Sequence, residues 1–334
     1  MKYEPFLREQ KSLHPSMQPL DFVKQLYQAC YGAEHLLTDI PAARRYFLEE
    51  MDSVPPDDAP LFERISPDYG RVNLSAWKEN HLPPEWLFRM FVLTASRKNV
   101  SVPPVFSPVH HSSVYREKEH PSYRVVCSRI LRLIPLLLKI NSLPQKKTPA
   151  VIAIDGRSAS GKTTAALFLD FILNHAKETD DADIVNGAGH AGRTRGVIHM
   201  DDFFLPERLR TAERLAEPGG NVDYGRFLSE VLPQIRGDGF SYRTFDCSEM
   251  EFGKLQTVEN VPFRITEGAY SHHPRFGSYA DIRVFSDIDP AEQEARILKR
   301  NGPARAEDFK TKWIPLEETY FREFRIKENA DIVI

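Results

Sequence analysis

One stretch of the chain carries residue types at a spacing that points to phosphate chemistry. Gly156-Arg157-Ser158-Ala159-Ser160-Gly161-Lys162-Thr163, followed by Thr164, reads G-x-x-x-x-G-K-T. The terminal glycines let backbone N–H groups turn inward around phosphate oxygens. A helix starting at the end of the loop would add its N-terminal dipole. Lys162 would then supply a point charge to the β- and γ-phosphates, and the Thr163 hydroxyl could ligate Mg²⁺. The motif needs a strand before it and a helix after it. Val151–Ile154 and Ala165-Ala-Leu-Phe-Leu-Asp-Phe-Ile supply both. Gly156, Ser158, Ala159, Ser160, Gly161, Lys162, Thr163 and Thr164 are therefore the expected nucleotide contacts, with ATP and Mg²⁺ as the implied ligands. The sequence has neither the N-K-x-D of GTPases nor an L-S-G-G-Q-like signature of ABC ATPases. Small-molecule kinases and degenerate nucleotide binders remain.

A kinase also needs an acceptor side. The apolar run Val197-Ile-His-Met leads straight into Asp201-Asp202-Phe203-Phe204. Ligands of a doubly wound sheet sit beyond the carboxyl ends of its strands, so Asp201 and Asp202 are expected near the γ-phosphate. A carboxylate there can take the proton of an acceptor hydroxyl; the alternative is a carboxylate that caps the next helix or ligates Mg²⁺. Phe263-Arg-Ile-Thr-Glu267-Gly268 ends in the same way. Glu267 is expected at the metal with Thr163, and Gly268 is expected to pack against the phosphate loop. His272 and His273 follow on the next loop and could contact an acceptor; a loop pair of this kind is more often plain surface.

These residues must be positioned by the elements around them. At 334 residues and 41% apolar, the chain has the length of two domains and enough apolar side chains for a real core. Sixteen of the 25 prolines precede Thr148, and that part reads as short helices joined by irregular loops. Helices are expected over about 21–31, after Pro41, after Pro84 and over roughly 123–133, with a strand over 69–74. The segment 143–149 reads as a linker between an accessory domain, 1–142, and a phosphate-loop domain, 150–334. In the latter, the apolar runs Val151–Ile154, Val197–Met200, Phe263–Thr266, Ile282–Phe285 and Ile332–Ile334 alternate with helical stretches. The expected fold is α/β: a doubly wound, mainly parallel P-loop NTPase sheet preceded by a smaller, mainly helical domain. The Gly-rich stretch 186–196, with Arg193 and Arg195, lacks a G-K-T ending and reads as a connector.

Composition narrows the class further. The part up to Thr148 holds 20 basic and 16 acidic side chains, a balance of +4, and the rest holds 24 and 31, a balance of −7. Neither is the basic excess of a nucleic-acid binder. No apolar run approaches a membrane span, and the charged start lacks the apolar core of a secretory signal. Three cysteines without C-x-x-C fit a reducing, cytoplasmic setting. His14, His35, His81, His110, His111 and His120, near Cys30 and Glu34, show no metal-ligand motif, so ordinary histidines are expected there.

The ordered set Gly156–Thr164, His199–Phe204 (HMDDFF), Asn221–Phe227 (NVDYGRF), Tyr242, Ile265–Tyr270 (ITEGAY) and the stretch from Ile282 through Arg305 resembles the uridine kinase / phosphoribulokinase family of P-loop kinases. The resemblance covers about 149–334. It implies Asp201 as the catalytic base, Asp223 on ribose hydroxyls, Tyr242 against the base and Glu267 near the metal. Arg296, Arg300 and Arg305 fall on its arginine-bearing lid, where such a residue neutralises the transferring group. The family's T-H-S-R-like run after the tyrosine is replaced by Asp246-Cys247-Ser248-Glu249. The group that would read a pyrimidine is therefore missing, which weakens the case for uridine. The expected activity is ATP- and Mg²⁺-dependent phosphorylation of a hydroxyl on a small metabolite. A different acceptor, such as pantothenate or a sugar phosphate, and a nucleotide-binding regulator without acceptor chemistry are the alternatives. The expected partners are ATP and that metabolite, with neither nucleic acid nor membrane. The accessory domain would pack on the kinase, bind an effector or mediate dimerisation, and a homo-oligomer stays open.

Overall fold

The computed structural model describes residues 2–32, 39–95, 109–144, 148–175, 194–246 and 249–334. Glu34, His35, Arg193, Cys247, Ser248 and most of the stretch 186–196 lie outside the described residues. The chain divides into two compact units, one of Met1–Ser142 and one that holds Leu143–Asn174 and Arg193–Ile334.

The first unit combines helices with a small antiparallel sheet of order β1-β2-β3: β1 (Phe62–Arg64), β2 (Tyr69–Asn73) and β3 (Tyr123–Cys127). Helices Pro19–Tyr31 and Ile40–Ser53 each carry proline in the first turn, where a missing N–H costs nothing. Asp39 caps the second by accepting from the Ala42 N–H. Helix Pro84–Ala95 contributes Leu87, Met90, Phe91 and Val92 to the core. The strand expected over 69–74 is β2. The helix expected over 123–133 is not formed as such. Its first half is β3, paired with β2 from Tyr69↔Cys127 to Asn73↔Tyr123, and only Ser128–Leu131 turns helical. The β-branched pair Val125-Val126 prefers the pleated sheet, and long-range pairing overrides a weak helical spacing.

The second unit is built on a parallel sheet of order β10-β9-β4-β8-β5. Its strands are β4 (Ala150–Gly156), β5 (Val197–His199), β8 (Phe263–Glu267), β9 (Ile282–Ser286) and β10 (Ile332–Val333). All five expected apolar runs are strands of this one sheet. β4 lies at the centre and is buried from Val151 to Gly156, as a strand covered on both faces must be. The run at 197–200 ends one residue early, because Met200 opens a short 3-10 turn, Met200–Phe203. A hairpin of β6 (Phe240–Asp246) and β7 (Glu251–Val258) was not expected. Seven of the eight β7 residues are not buried, so no apolar run marks that strand. The core gathers Ile198, Phe203, Val222, Phe227, Tyr270, Tyr320 and Phe321. No helix among the described residues is long and apolar enough to cross a membrane.

Candidate functional site

The phosphate loop leaves the carboxyl end of β4 and enters helix Lys162–Asn174. Gly156 (φ +136°) lies so close to β9 that an added Cβ would fall 2.1 Å from the Ser286 carbonyl oxygen. Gly161 has φ +96° and Ala159, unusually for alanine, φ 61°. These left-handed residues curl the loop and turn successive N–H groups to one side. Lys162 Nζ donates to the carbonyls of Gly156 (2.7 Å) and Arg157 (2.8 Å), which lays its side chain back across the loop.

Asp155 fixes this loop to its neighbours. Its fully buried carboxylate accepts from the backbone N–H groups of Gly156, Tyr270 and His272 and from the Tyr320 hydroxyl (2.8 Å). Glu317, on helix Ile314–Glu323 and only 6% exposed, accepts from both the N–H and the hydroxyl of Ser158. Burial pushes the Glu317 carboxyl pKa up, while the Lys162 charge and the Ser158 bonds pull against it. Gln293 donates to the Ser158 carbonyl (3.0 Å), and Arg296 to that of Ala159 (3.1 Å). Asp155, Glu317 and Gln293 were not singled out from sequence. Asp155, next to the motif, is the one local signal; Glu317 reaches the loop only through the tertiary fold.

The strand ends bring the acidic residues together. Thr163 Oγ1 donates to the Glu267 carboxylate at 3.1 and 3.2 Å. His199, the last residue of β5, pairs its Nδ1 with Glu267 Oε1 at 2.7 Å. Burial opposes charging of this imidazole, but the Glu267 bond and the charges of Glu267, Asp202 and Asp201 outweigh it and raise its pKa. Asp201 reaches solvent, yet the desolvated site and the Glu267 charge raise its carboxyl pKa against the pull of Lys162 and His199. Gly268 (φ +133°) comes close to the Met200–Asp201 turn: an added Cβ would sit 2.8 Å from Met200 Cβ and 3.5 Å from Asp201 Oδ1. The close approach expected against the phosphate loop is thus made to this turn, while the Gly268 N–H bonds the Ile154 carbonyl of β4 (3.0 Å).

The remaining sequence-derived residues fall into three places. Asp202 and Tyr242 face each other: the Tyr242 hydroxyl donates to Asp202 Oδ2 (3.0 Å) and accepts from the His199 N–H (3.2 Å). Tyr242 is 1% exposed and packs on Phe203, so it supports the aspartate from beneath. Asp223 lies beside the same turn, its N–H bonded to the Phe203 carbonyl (2.7 Å) and its side chain capping Arg226. His272 is buried, with Nε2 3.0 Å from the Ala153 carbonyl of β4 and its pKa lowered by burial. His273 stacks on Tyr320 and contacts Tyr224, so this pair is internal. Arg300 and Arg305 lie exposed on helix Pro290–Asp308, before and after its break at Gly302-Pro303. Arg300 bonds Asn301, and Arg296 bonds Glu292 besides the loop.

The donor set suits a nucleoside triphosphate with its metal. The loop has its glycine-enforced curl, and Ser160, buried in it, has a hydroxyl with no hydrogen-bond partner among the described residues. Lys162, whose hydrogen bonds among the described residues go to two loop carbonyls, could turn to phosphate. Thr163 and Glu267 are hard oxygen ligands of the kind Mg²⁺ takes. No cluster of three or more His, Cys, Asp or Glu that could hold a metal ion alone is found among the described residues.

Comparison with known proteins gives a partial answer. No family model matches the chain. It is 30% identical over 137 residues to a pantothenate kinase of Mesorhizobium japonicum, covering 38% of each protein. It is 21% identical over 168 residues to a pantothenate kinase of Levilactobacillus brevis, covering 47% of this chain and 51% of that one. The C-terminal unit resembles the P-loop kinases. The chain thus spans about half or less of the length of the curated relatives it matches. Among solved structures, a "possible uridine kinase" from Bacillus stearothermophilus aligns at 17% identity and a TM-score of 0.41, over 62% of this chain and 99% of that one. A likeness at that level carries no weight for substrate or mechanism.

Proposed function

We propose that this protein is an ATP- and Mg²⁺-dependent phosphotransferase acting on a hydroxyl of a small metabolite, in the manner of uridine kinase. The reading rests on one juxtaposition: a carboxylate open to solvent, Asp201, at the same strand ends as the phosphate-loop lysine and the Thr163–Glu267 pair. A nucleotide sensor needs no acceptor-side base. In the reaction, the acceptor oxygen forms a bond to the γ-phosphorus as the bridging bond to ADP breaks, and the hydroxyl proton passes to Asp201. Loop N–H groups and Lys162 hold the phosphates throughout. Thr163 and Glu267 would hold Mg²⁺, whose charge offsets that of the phosphates. Arg300 or Arg305 would close over the transferring group, and Asp223 would meet acceptor hydroxyls.

The acceptor has two candidate classes. The matched curated proteins are named pantothenate kinases, which favours pantothenate over the uridine suggested by the order of motifs. The buried Tyr242 and the lack of the family's histidine after it also weigh against a pyrimidine. The test is a mass-spectrometric screen of pantothenate, nucleosides and sugars incubated with ATP and the full chain. Gain of one phosphoryl group by one of them, with matching ADP release, is expected. ADP release that never depends on an acceptor would replace the kinase with a nucleotide-binding regulator.

A further inference from the structure

The first unit buries a second polar cluster that the phosphate-loop chemistry does not use. Helix Pro19–Tyr31 carries Asp21, Lys24, Gln25 and Gln28 on one side, at three- and four-residue spacing. Against it, β2 places Arg71, which is 2% exposed. Arg71 Nε and Nη2 donate to Gln28 Oε1 at 3.1 and 2.8 Å, and Nη1 donates to Gln10 Oε1 at 3.1 Å. Its guanidinium carbon lies 4.6 Å from the centre of the Tyr123 ring.

The acids nearby are already engaged. Asp21 accepts from the N–H and hydroxyl of Ser112 and the Gln18 N–H, and it meets His111 at 2.9 Å. Glu63 is held by Gln10 and His14, and Glu119 by His14 and Ser16. Among the described residues, the hydrogen-bond partners of the two cations are neutral. Arg71 has its two glutamines, and Lys24 Nζ has the Val109 carbonyl at 3.0 Å. Among the described residues neither forms an ion pair. A guanidinium out of water with no hydrogen-bonded anion is costly. The cations also oppose each other: burial first, and then the Arg71 charge, lower the Lys24 pKa against the pull of Asp21. On the same helix, Gln25 is 0% exposed and its Oε1 has no donor among the described residues.

We propose that this unit binds an anion between Arg71 and Lys24, the carboxylate or phosphate group of a small metabolite. Three of the five Arg71 N–H groups are used within the protein, which leaves one on each terminal nitrogen as a fork for two oxygens. Lys24 adds a point charge, and Gln25 Oε1 can accept from a donor elsewhere on the same ligand. This site does not depend on the kinase reading.

The test uses the full chain carrying Lys162→Ala, so that the phosphate loop does not compete for the probe. Thermal melts and calorimetric titrations are run with sodium phosphate and with sodium acetate, each against sodium chloride at equal ionic strength. A saturable rise in Tm with at least one anion is expected. Phosphate alone points to a phosphoester ligand, and acetate alone to a carboxylate. Arg71→Met should abolish the response and Lys24→Met should weaken affinity by about tenfold or more, the scale of one charge-assisted hydrogen bond. If Arg71→Met does not fold, the half-buried Lys24→Met decides. No saturable rise with either anion, or a rise that persists unchanged in the variants, would overturn the site.

Discussion

The two units each gather charged side chains out of water, and they do so in opposite ways. In the second, the charges stand at the ends of parallel strands that converge on one loop. The polar groups there include the loop amides, Lys162 and the carboxylates of Asp201 and Glu267, and Asp201 faces solvent. In the first, Gln10, Asp21, Gln28, Glu63, Arg71, His111 and Tyr123 come from separate helices and strands and bond chiefly one another. A site poised for chemistry keeps its donors pre-aimed at an absent partner. A network that closes on itself chiefly specifies a fold, except where, as at Arg71, the closure is incomplete.

The largest expected effect lies on the outward-facing side. Lys162→Ala removes the side-chain cation closest to the phosphates, and its loss should lower kcat/KM by about 10³–10⁵, the scale of a cationic group acting on a transferring phosphoryl. Among the described residues its hydrogen bonds go to loop carbonyls, so circular dichroism and Tm should stay near those of the parent. Near-parental turnover in the folded variant would remove the phosphate loop from the mechanism.

Next comes the acceptor base. Asn is nearly isosteric with Asp but takes no proton at neutral pH. Asp201→Asn should lower kcat by about 10²–10⁴ and leave ATP affinity within a few-fold. Asp202→Asn should do less to kcat and more to Tm, because Asp202 is bound to Tyr242 and the Phe245 N–H. Steady-state kinetics and melting of both variants separate the roles. The reverse pattern would move the base to Asp202.

The contrast between the units also explains what could be read from the sequence. The phosphate loop and the Glu267-Gly268 pair were legible because their chemistry is local: the chain must turn within a few residues, and glycines mark where. The inner strands were legible because strands buried on both faces are continuous apolar runs; β10, an edge strand with Val333 exposed, shows only its short apolar stretch. β7 was not, being mostly exposed, and β3 was mistaken for helix because its pairing with β2 is a long-range fact. His272 looked like a loop residue, but tertiary packing turns it onto the Ala153 carbonyl. Glu317 and Arg71 carry no motif at all; their partners lie more than 40 residues away in sequence.

The self-closing network has a pH signature of its own. Burial, opposed by the Asp21 bond, holds the His111 pKa down at about 4, while Asp21 itself is held at about 2, its several donors outweighing burial. Between pH 6.5 and about 4 the unfolded chain therefore binds the His111 proton and the folded one does not. The His111 contribution to stability is full above that window and falls as pH drops through it, by roughly 3 kcal/mol at most. His14 acts with the opposite sign: burial lowers its pKa, but Glu63 and Glu119 outweigh that and raise it, so its contribution is lost as pH rises. Hydrogen exchange of β2 and β3 amides across pH 4–7 should show the acid decline, and His111→Gln should flatten it. An unchanged slope in that variant would assign the decline to other groups.

The smallest effect tests whether Tyr242 supports the site or contacts a ligand. Tyr242→Phe keeps the ring packed on Phe203 and removes only the hydroxyl. The Asp202 carboxylate then loses one of its donors, and the His199 N–H loses its acceptor. Each is a single bond, one of them to a charged group, so the expected cost is about 1–3 kcal/mol of stability. Because Tyr242 is 1% exposed, its hydroxyl has no path to an acceptor molecule in this arrangement. KM for the acceptor should therefore stay within a few-fold, and the loss should appear in Tm and in modestly lower kcat, as the turn carrying Asp201 loosens. A large rise in acceptor KM with Tm unchanged would show instead that the hairpin opens and that Tyr242 meets the ligand directly.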